Sequence, residues 1–247
     1  MSGHSKWSTI KRKKGALDSK RSKIFSKIIK DIQIAVKESG PDPDGNPRLR
    51  LAIQNAKGAS MPKDNIERAI NKGKDKESGS LLELTFEGYL SHGIAVFIEC
   101  TTDNQQRTVS TIRSIFNKYG GNLGTNGSLS FLFDRKGIFT VPKGELNNDD
   151  FELAVIDAGA EDIDYEDEFF TITTAMEDFG KMIKKLDEMG VEPENARLHR
   201  IPKETVKLNK EDTQKVMRAI EFFEEDEDVQ NVYHNLEISE EVLAEME

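Results

Sequence analysis

The sequence predicts a multidomain α+β protein: an N-terminal three-helix bundle, a middle α+β domain, and a ferredoxin-like α+β domain inserted within it. Three observations carry this. Apolar residues recur at three- and four-residue spacing up to about Gly73, after which the period drops to two. Residues 136–201 read strand, helix, strand, strand, helix, strand, the ferredoxin-like order. The tail repeats only strand, helix, strand. That is too little for a sheet of its own, so it is expected to return to the strands of 82–133.

The elements follow in order. Met1–Ser19 lacks apolar periodicity and reads as an extended or disordered arm. From Ser22, the residues Ile24, Phe25, Ile28, Ile29, Ile32, Ala35 and Val36 form one helical stripe, closed by Gly40 and Pro41. Asn46 followed by Pro47 reads as an N-cap with proline at the first helical position, and Leu49, Ala52, Ile53 and Ala56 continue the stripe. A third short helix opens at Met61-Pro62, runs through Ile66, Ala69 and Ile70, and closes at Gly73. Gly73–Ser80 is the expected linker. Strands are then predicted at 82–89 and 93–101, a helix at 104–119, a glycine-rich loop at 120–127 and a strand at 128–133. In the inserted unit the pattern gives strand 137–141, helix 146–158, strands 161–165 and 168–174, helix 176–190 and strand 195–200. The tail gives strand 205–208, helix 210–225 and strand 229–237. The domains are thus 1–78, then 79–135 with 203–247, and 136–202.

Charge is sorted along the chain. Residues 1–80 hold 19 Lys and Arg against 9 Asp and Glu, a balance of +10; residues 81–247 hold 16 against 36, a balance of −20. One end is therefore suited to a polyanion and the remainder to solvent and to protein partners. His4, Lys6, Trp7, Lys11, Arg12, Lys13, Lys14, Lys20, Arg21, Lys23 and Lys27 are the expected nucleic-acid contacts, with Arg48, Arg50, Lys63 and Arg68 extending the surface across the bundle. Lysines attract phosphates, and Trp7 and His4 offer planar groups for stacking. Lys20, Lys23, Lys27 and Lys30 are expected opposite the apolar stripe. Nothing in the pattern distinguishes DNA from RNA or supports base-specific readout.

Catalytic signals are poor. His4, His92, His199 and His234 form no zinc spacing. Cys100 reads as a core thiol; a single cysteine excludes an internal disulfide and fits a reducing cytoplasm. Asp42-Pro43-Asp44-Gly45 reads as a turn, the loop at 120–127 as tight-turn chemistry, Asp103 or Asn104 as a helix cap, and Glu224–Asp228 as a solvated helix end. A metal-dependent nuclease using Asp103, Asp42 and Asp44 is the enzymatic alternative, without a convincing ligand geometry. No catalytic residue, metal, cofactor or membrane span is expected.

Several stretches together resemble one family. They are Gly3–Trp7 with Lys11–Lys14; Lys23–Lys27; Gly40–Pro43 with Asn46–Arg50; Met61–Ile70; Glu87–Tyr89; Thr102–Asn104 with Arg107-Thr108; and Gly120–Gly124. The chain is similar in these to the YebC/PmpR family, whose mitochondrial relative is a translational activator of cytochrome c oxidase. Ala59-Ser60 before Met61-Pro62 departs from the commoner Ala-Asn of that family, and Gln105-Gln106 before Arg107 is a second small departure. The resemblance implies the same three domains and no catalytic residues. It also implies a DNA-binding transcriptional regulator of the bacterial cytoplasm or, in a competing view, a ribosome-associated factor that binds rRNA or tRNA and relieves translation stalled at proline runs.

Overall fold

The computed structural model describes residues 17–75, 81–144, 146, 148–165 and 168–238. The described chain divides into two compact units: residues 24–75 with 135–200, and residues 17–23 with 81–134 and 201–238.

Three helices come first, α1 (Leu17–Ser39), α2 (Pro47–Gly58) and α3 (Lys63–Lys74), and the first unit takes them from Ile24 onward. Helix α1 starts five residues before the expected Ser22. Its first turns are Lys-, Arg- and Ser-rich and lack an apolar stripe, but such residues cost little helix propensity once the stripe further on has nucleated the helix. Ile32, Ala35 and Val36 pack on Leu49, Ala52, Ala56, Met61, Ile66 and Ala69 to form the bundle core. Asn46 fixes the turn between α1 and α2. It is buried, its Oδ1 accepts from the Leu49 amide at 3.0 Å, and its Nδ2 donates to the Ala35 and Gly40 carbonyls at 2.6 and 2.8 Å. One side chain thereby satisfies the end of one helix and the start of the next.

The same unit holds a four-stranded sheet from β4 (Phe133–Pro142), β5 (Ala160–Tyr165), β6 (Phe169–Ala175) and β7 (Asn195–Pro202), in the order β5-β6-β4-β7. Helices α5 (Asn148–Asp157) and α6 (Phe179–Glu188) supply Phe151, Val155, Met182 and Leu186 to its core. Strand order second-third-first-fourth is the ferredoxin-like arrangement. The bundle docks on the β7 edge. Asn55 Nδ2 donates to the Ala196 carbonyl at 3.0 Å and its Oδ1 accepts from the Ala196 amide at 2.9 Å. The helix approaches so closely at Gly58 that a Cβ there would lie 1.9 Å from the Glu194 carbonyl oxygen. Asn55 acts as a short strand, occupying an edge that would otherwise be open.

The second unit is built on β1 (Leu82–Tyr89), β2 (Ala95–Thr102), β3 (Asn122–Leu123) and β9 (Val229–His234), ordered β3-β1-β2-β9. The tail does return: β9 lies antiparallel to β2, with Val96 opposite His234. A parallel pair, β8 (Val206–Lys207) and β10 (Leu236–Glu237), lies apart from this sheet. Helices α4 (Gln105–Lys118) and α7 (Lys210–Glu225) cover one face through Ile112, Phe116, Val216, Ile220 and Phe223, with the Phe116 and Phe223 rings 4.9 Å apart. Phe97, Leu129, Phe133 and Tyr233 form a cluster of their own.

The expected strand at 128–133 is absent; residues 127–132 form turns and β4 begins only at Phe133. Leu129, Phe131 and Phe133 do alternate with polar or smaller residues, which mimics a strand. Gly127, at φ +88°, instead turns the chain, and the buried Glu87 carboxylate captures the Gly127 and Leu129 amides at 2.7 and 2.6 Å. Amides held by a side chain are lost to a ladder, and Phe131 is left 64% exposed.

Candidate nucleic-acid interface

Between residues 17 and 75 the chain has 13 Lys and Arg against 8 Asp and Glu. α2 carries Arg48, Arg50 and Lys57 and no acid; α3 carries Lys63, Arg68, Lys72 and Lys74 against Asp64 and Glu67. Arg50 and Lys57 are exposed. Arg48 pairs with Glu38 at 2.7 Å, tying the first turn of α2 to the end of α1. Lys63, with an 87% exposed side chain, stands 3.6 Å from Glu67. Arg68 folds back on its own helix, donating to the Asp64 carbonyl at 3.2 Å and to Asn65 Oδ1. Such exposed pairs hold their cations by only about 0–1 kcal/mol, so a phosphate can displace the carboxylate.

On α1, Arg21 and Lys23 are exposed, whereas Lys27 and Lys30 are half-buried. Lys20 lies in the first turns of that helix, its side chain outside the described residues. His4, Lys6, Trp7, Lys11, Arg12, Lys13 and Lys14 also lie outside the described residues.

Asp42 and Asp103 have other occupations. Asp42 Oδ1 accepts from the Asp44 amide at 3.1 Å, an Asx-turn. Asp103 accepts from Arg107 Nη2 at 2.9 Å. No group of three or more His, Cys, Asp or Glu is placed to hold a metal ion among the described residues. Cys100 is buried within the sheet core. Asn104 caps α4, accepting from the Arg107 amide at 3.1 Å.

The acidic run Glu224–Asp228 is not a solvated helix end throughout. Asp228 is buried rather than solvated, and its Oδ2 accepts from Thr102 and Thr108 hydroxyls at 3.0 Å each and from Arg107 Nε and Nη2 at 3.2 and 2.7 Å. These bonds, then those to Asp103, hold the Arg107 guanidinium above its ordinary pKa. The network ties the start of α4 to the turn before β9. Its partners lie more than 100 residues apart in the chain, so no local pattern could reveal it. Asn55, 141 residues from Ala196, and Glu87, 40 and 42 residues from Gly127 and Leu129, are hidden from local pattern in the same way.

Comparison with known proteins adds the family. A model of the TACO1/YebC N-terminal domain matches residues 5–76, and one of the TACO1/YebC second and third domains matches residues 81–236. A probable transcriptional regulatory protein of Amoebophilus asiaticus is 52% identical over 239 residues, covering 96% of this chain and 98% of that protein. One from Rubrobacter xylanophilus is 47% identical over 248 residues, covering 100% and 99%. Among solved structures, a conserved hypothetical protein from Aquifex aeolicus aligns with a TM-score of 0.81 at 43% identity, over 92% of this chain and 94% of its own.

Proposed function

The chain belongs to the TACO1/YebC family, and we propose that it is a non-enzymatic, cytoplasmic regulator of transcription that binds DNA through its basic N-terminal part. On the same proposal its three domains are 1–78, 79–135 with 203–247, and 136–202. One observation supports the reading above others: cations crowd residues 1–75 while the rest of the chain is acidic, so phosphate attraction is confined to one region. Arg50, Lys57 and Lys63 stand exposed on α2 and α3, within reach of a duplex backbone, and the Lys11–Lys14 run adds charge beyond α1.

The acidic part has a complementary role. Residues 144–180 contain 13 Asp and Glu and no Lys, Arg or His. Leu153 and Ile156 on α5 and Tyr165 at the end of β5 are about half or more exposed there. This face suits a basic protein partner.

Gel shift against promoter fragments and cosedimentation with ribosomes, both at physiological salt, test the proposal. Binding that favours DNA over an unrelated polyanion is expected. Cosedimentation with ribosomes without any DNA preference would overturn the transcriptional reading in favour of a translation factor.

A further inference from the structure

We infer that α4, together with the Tyr119–Phe222 ring pair at its C-terminal end, is a second nucleic-acid surface, one that takes a single sugar-phosphate strand. The inference rests on the reading of this chain as a nucleic-acid binder and locates a contact outside the basic N-terminal part.

The first observation is one of charge. The thirty residues from Asn104 to Phe133 contain no Asp or Glu, whereas the remainder beyond residue 80 holds 36 acids against 13 Lys and Arg. The window leaves α4 and the loop after it free of their own carboxylates, which lessens the repulsion a phosphate would meet there, whereas Phe222 on α7 adjoins Glu221 and Glu224-Glu225. Of its three cations, Arg107 is held by Asp228 and Asp103. Arg113 is exposed and meets no carboxylate among the described residues.

The second observation is the composition of one helical face. Gln106, Ser110, Arg113, Ser114 and Asn117 recur at three- and four-residue spacing and make one open, exposed face of α4. Amides and hydroxyls of this kind donate to phosphate and sugar oxygens and pair with base edges. A helix face meant for a partner helix would instead carry apolar anchors at that spacing. The apolar residue on this face, Val109, is partly buried against the core of its own unit.

The third observation is the platform where the helix ends. Lys118 follows Ser114 by one turn, and its ammonium sits 4.2 Å from the centroid of the Phe222 ring and 5.4 Å from that of Tyr119. The two rings are 5.5 Å apart, and Phe222 is 42% exposed. The ammonium lies over the Phe222 ring, so a base stacks there by taking its place while the displaced cation neutralises the adjoining phosphate. Stacking requires a base free of its duplex neighbours, so the strand is single.

The test uses the full-length protein and a short mixed-sequence oligonucleotide as single-stranded RNA, single-stranded DNA and duplex DNA, with affinity read by fluorescence anisotropy at several salt concentrations. Arg113→Glu should weaken single-strand binding by about tenfold or more and duplex binding less. Phe222→Leu, which keeps the apolar contact and removes the ring, should weaken single-strand binding without changing its salt slope. The single strand more sensitive to these changes, RNA or DNA, identifies the source. Circular dichroism and melting of both variants establish that they fold. If both bind single strands like the parent while Arg50→Glu/Lys63→Glu loses duplex affinity, this inference is overturned and the proposed function stands. Should the parent bind no oligonucleotide, the proposed function fails and takes this surface with it. Photo-crosslinks from a 4-thiouridine or iodouracil strand confined to residues 20–75 would likewise overturn it; crosslinks within 105–119 or at Phe222 support it.

Discussion

Single side chains in this protein hold junctions whose loss is measurable. Asn46 caps α2 and bonds two carbonyls at the end of α1, so Asn46→Ala leaves an amide and two carbonyls short of partners. It should cost on the order of 3 kcal/mol in chemical denaturation. Asn46→Asp keeps the acceptor for Leu49 but turns a carboxylate oxygen on the Ala35 and Gly40 carbonyls, and should cost at least as much as Asn46→Ala. A full-strength Asn46→Asp would show that the cap alone matters. Ser60 is a different case: its φ of 56° places a side chain in the left-handed region just past α2. That gives a physical sense to the commoner Asn at this position of the family, because Asn tolerates the conformation better. Ser60→Gly should raise stability by about 0.5–1 kcal/mol, read as a higher melting temperature, and an unchanged or lower one would exclude strain at this turn.

Whole elements divide into those written in local pattern and those set by distant partners. α2 is legible because Asn46, Pro47 and the Leu49–Ala56 stripe are adjacent in sequence, and the start of α4 because its Asn104 cap is also local. The misread strand at 128–133 had a genuine alternation, yet its amides belong to Glu87, some 40 residues earlier. Periodicity cannot report a buried carboxylate on another strand. The candidate interface followed the same rule: exposed cations on α2 and α3 were readable as charge, whereas Asp228, Glu87 and Asn55 were silent because their partners are remote. Glu87→Gln tests the loop directly. Retaining one acceptor in place of two should cost about 1–3 kcal/mol and speed amide hydrogen exchange at Gly127 and Leu129. Unchanged protection at both amides would mean that Gly127 alone shapes the turn.

Across the whole molecule, the balance of +10 before residue 81 and −20 after it is the feature that composition alone conceals, since the total of −10 suggests an acidic protein with no taste for phosphate. Sorted charge has a thermodynamic signature that local contacts lack. Each phosphate neutralised by a bundle cation releases condensed counterions, so the slope of log K against log salt counts contacts, at about −0.9 per contact on duplex DNA. Neutralising Arg50, Lys57 and Lys63 together should therefore flatten that slope by about 2–3 units and weaken binding most at low salt, roughly equally for unrelated sequences. Replacing three exposed acids of residues 144–180 by their amides should leave the slope unchanged, because those groups meet no phosphate. Filter binding across a salt series gives both numbers. An unaltered slope in the first variant would mean that the exposed cations of α2 and α3 touch no backbone, and the asymmetry would then serve a partner other than nucleic acid.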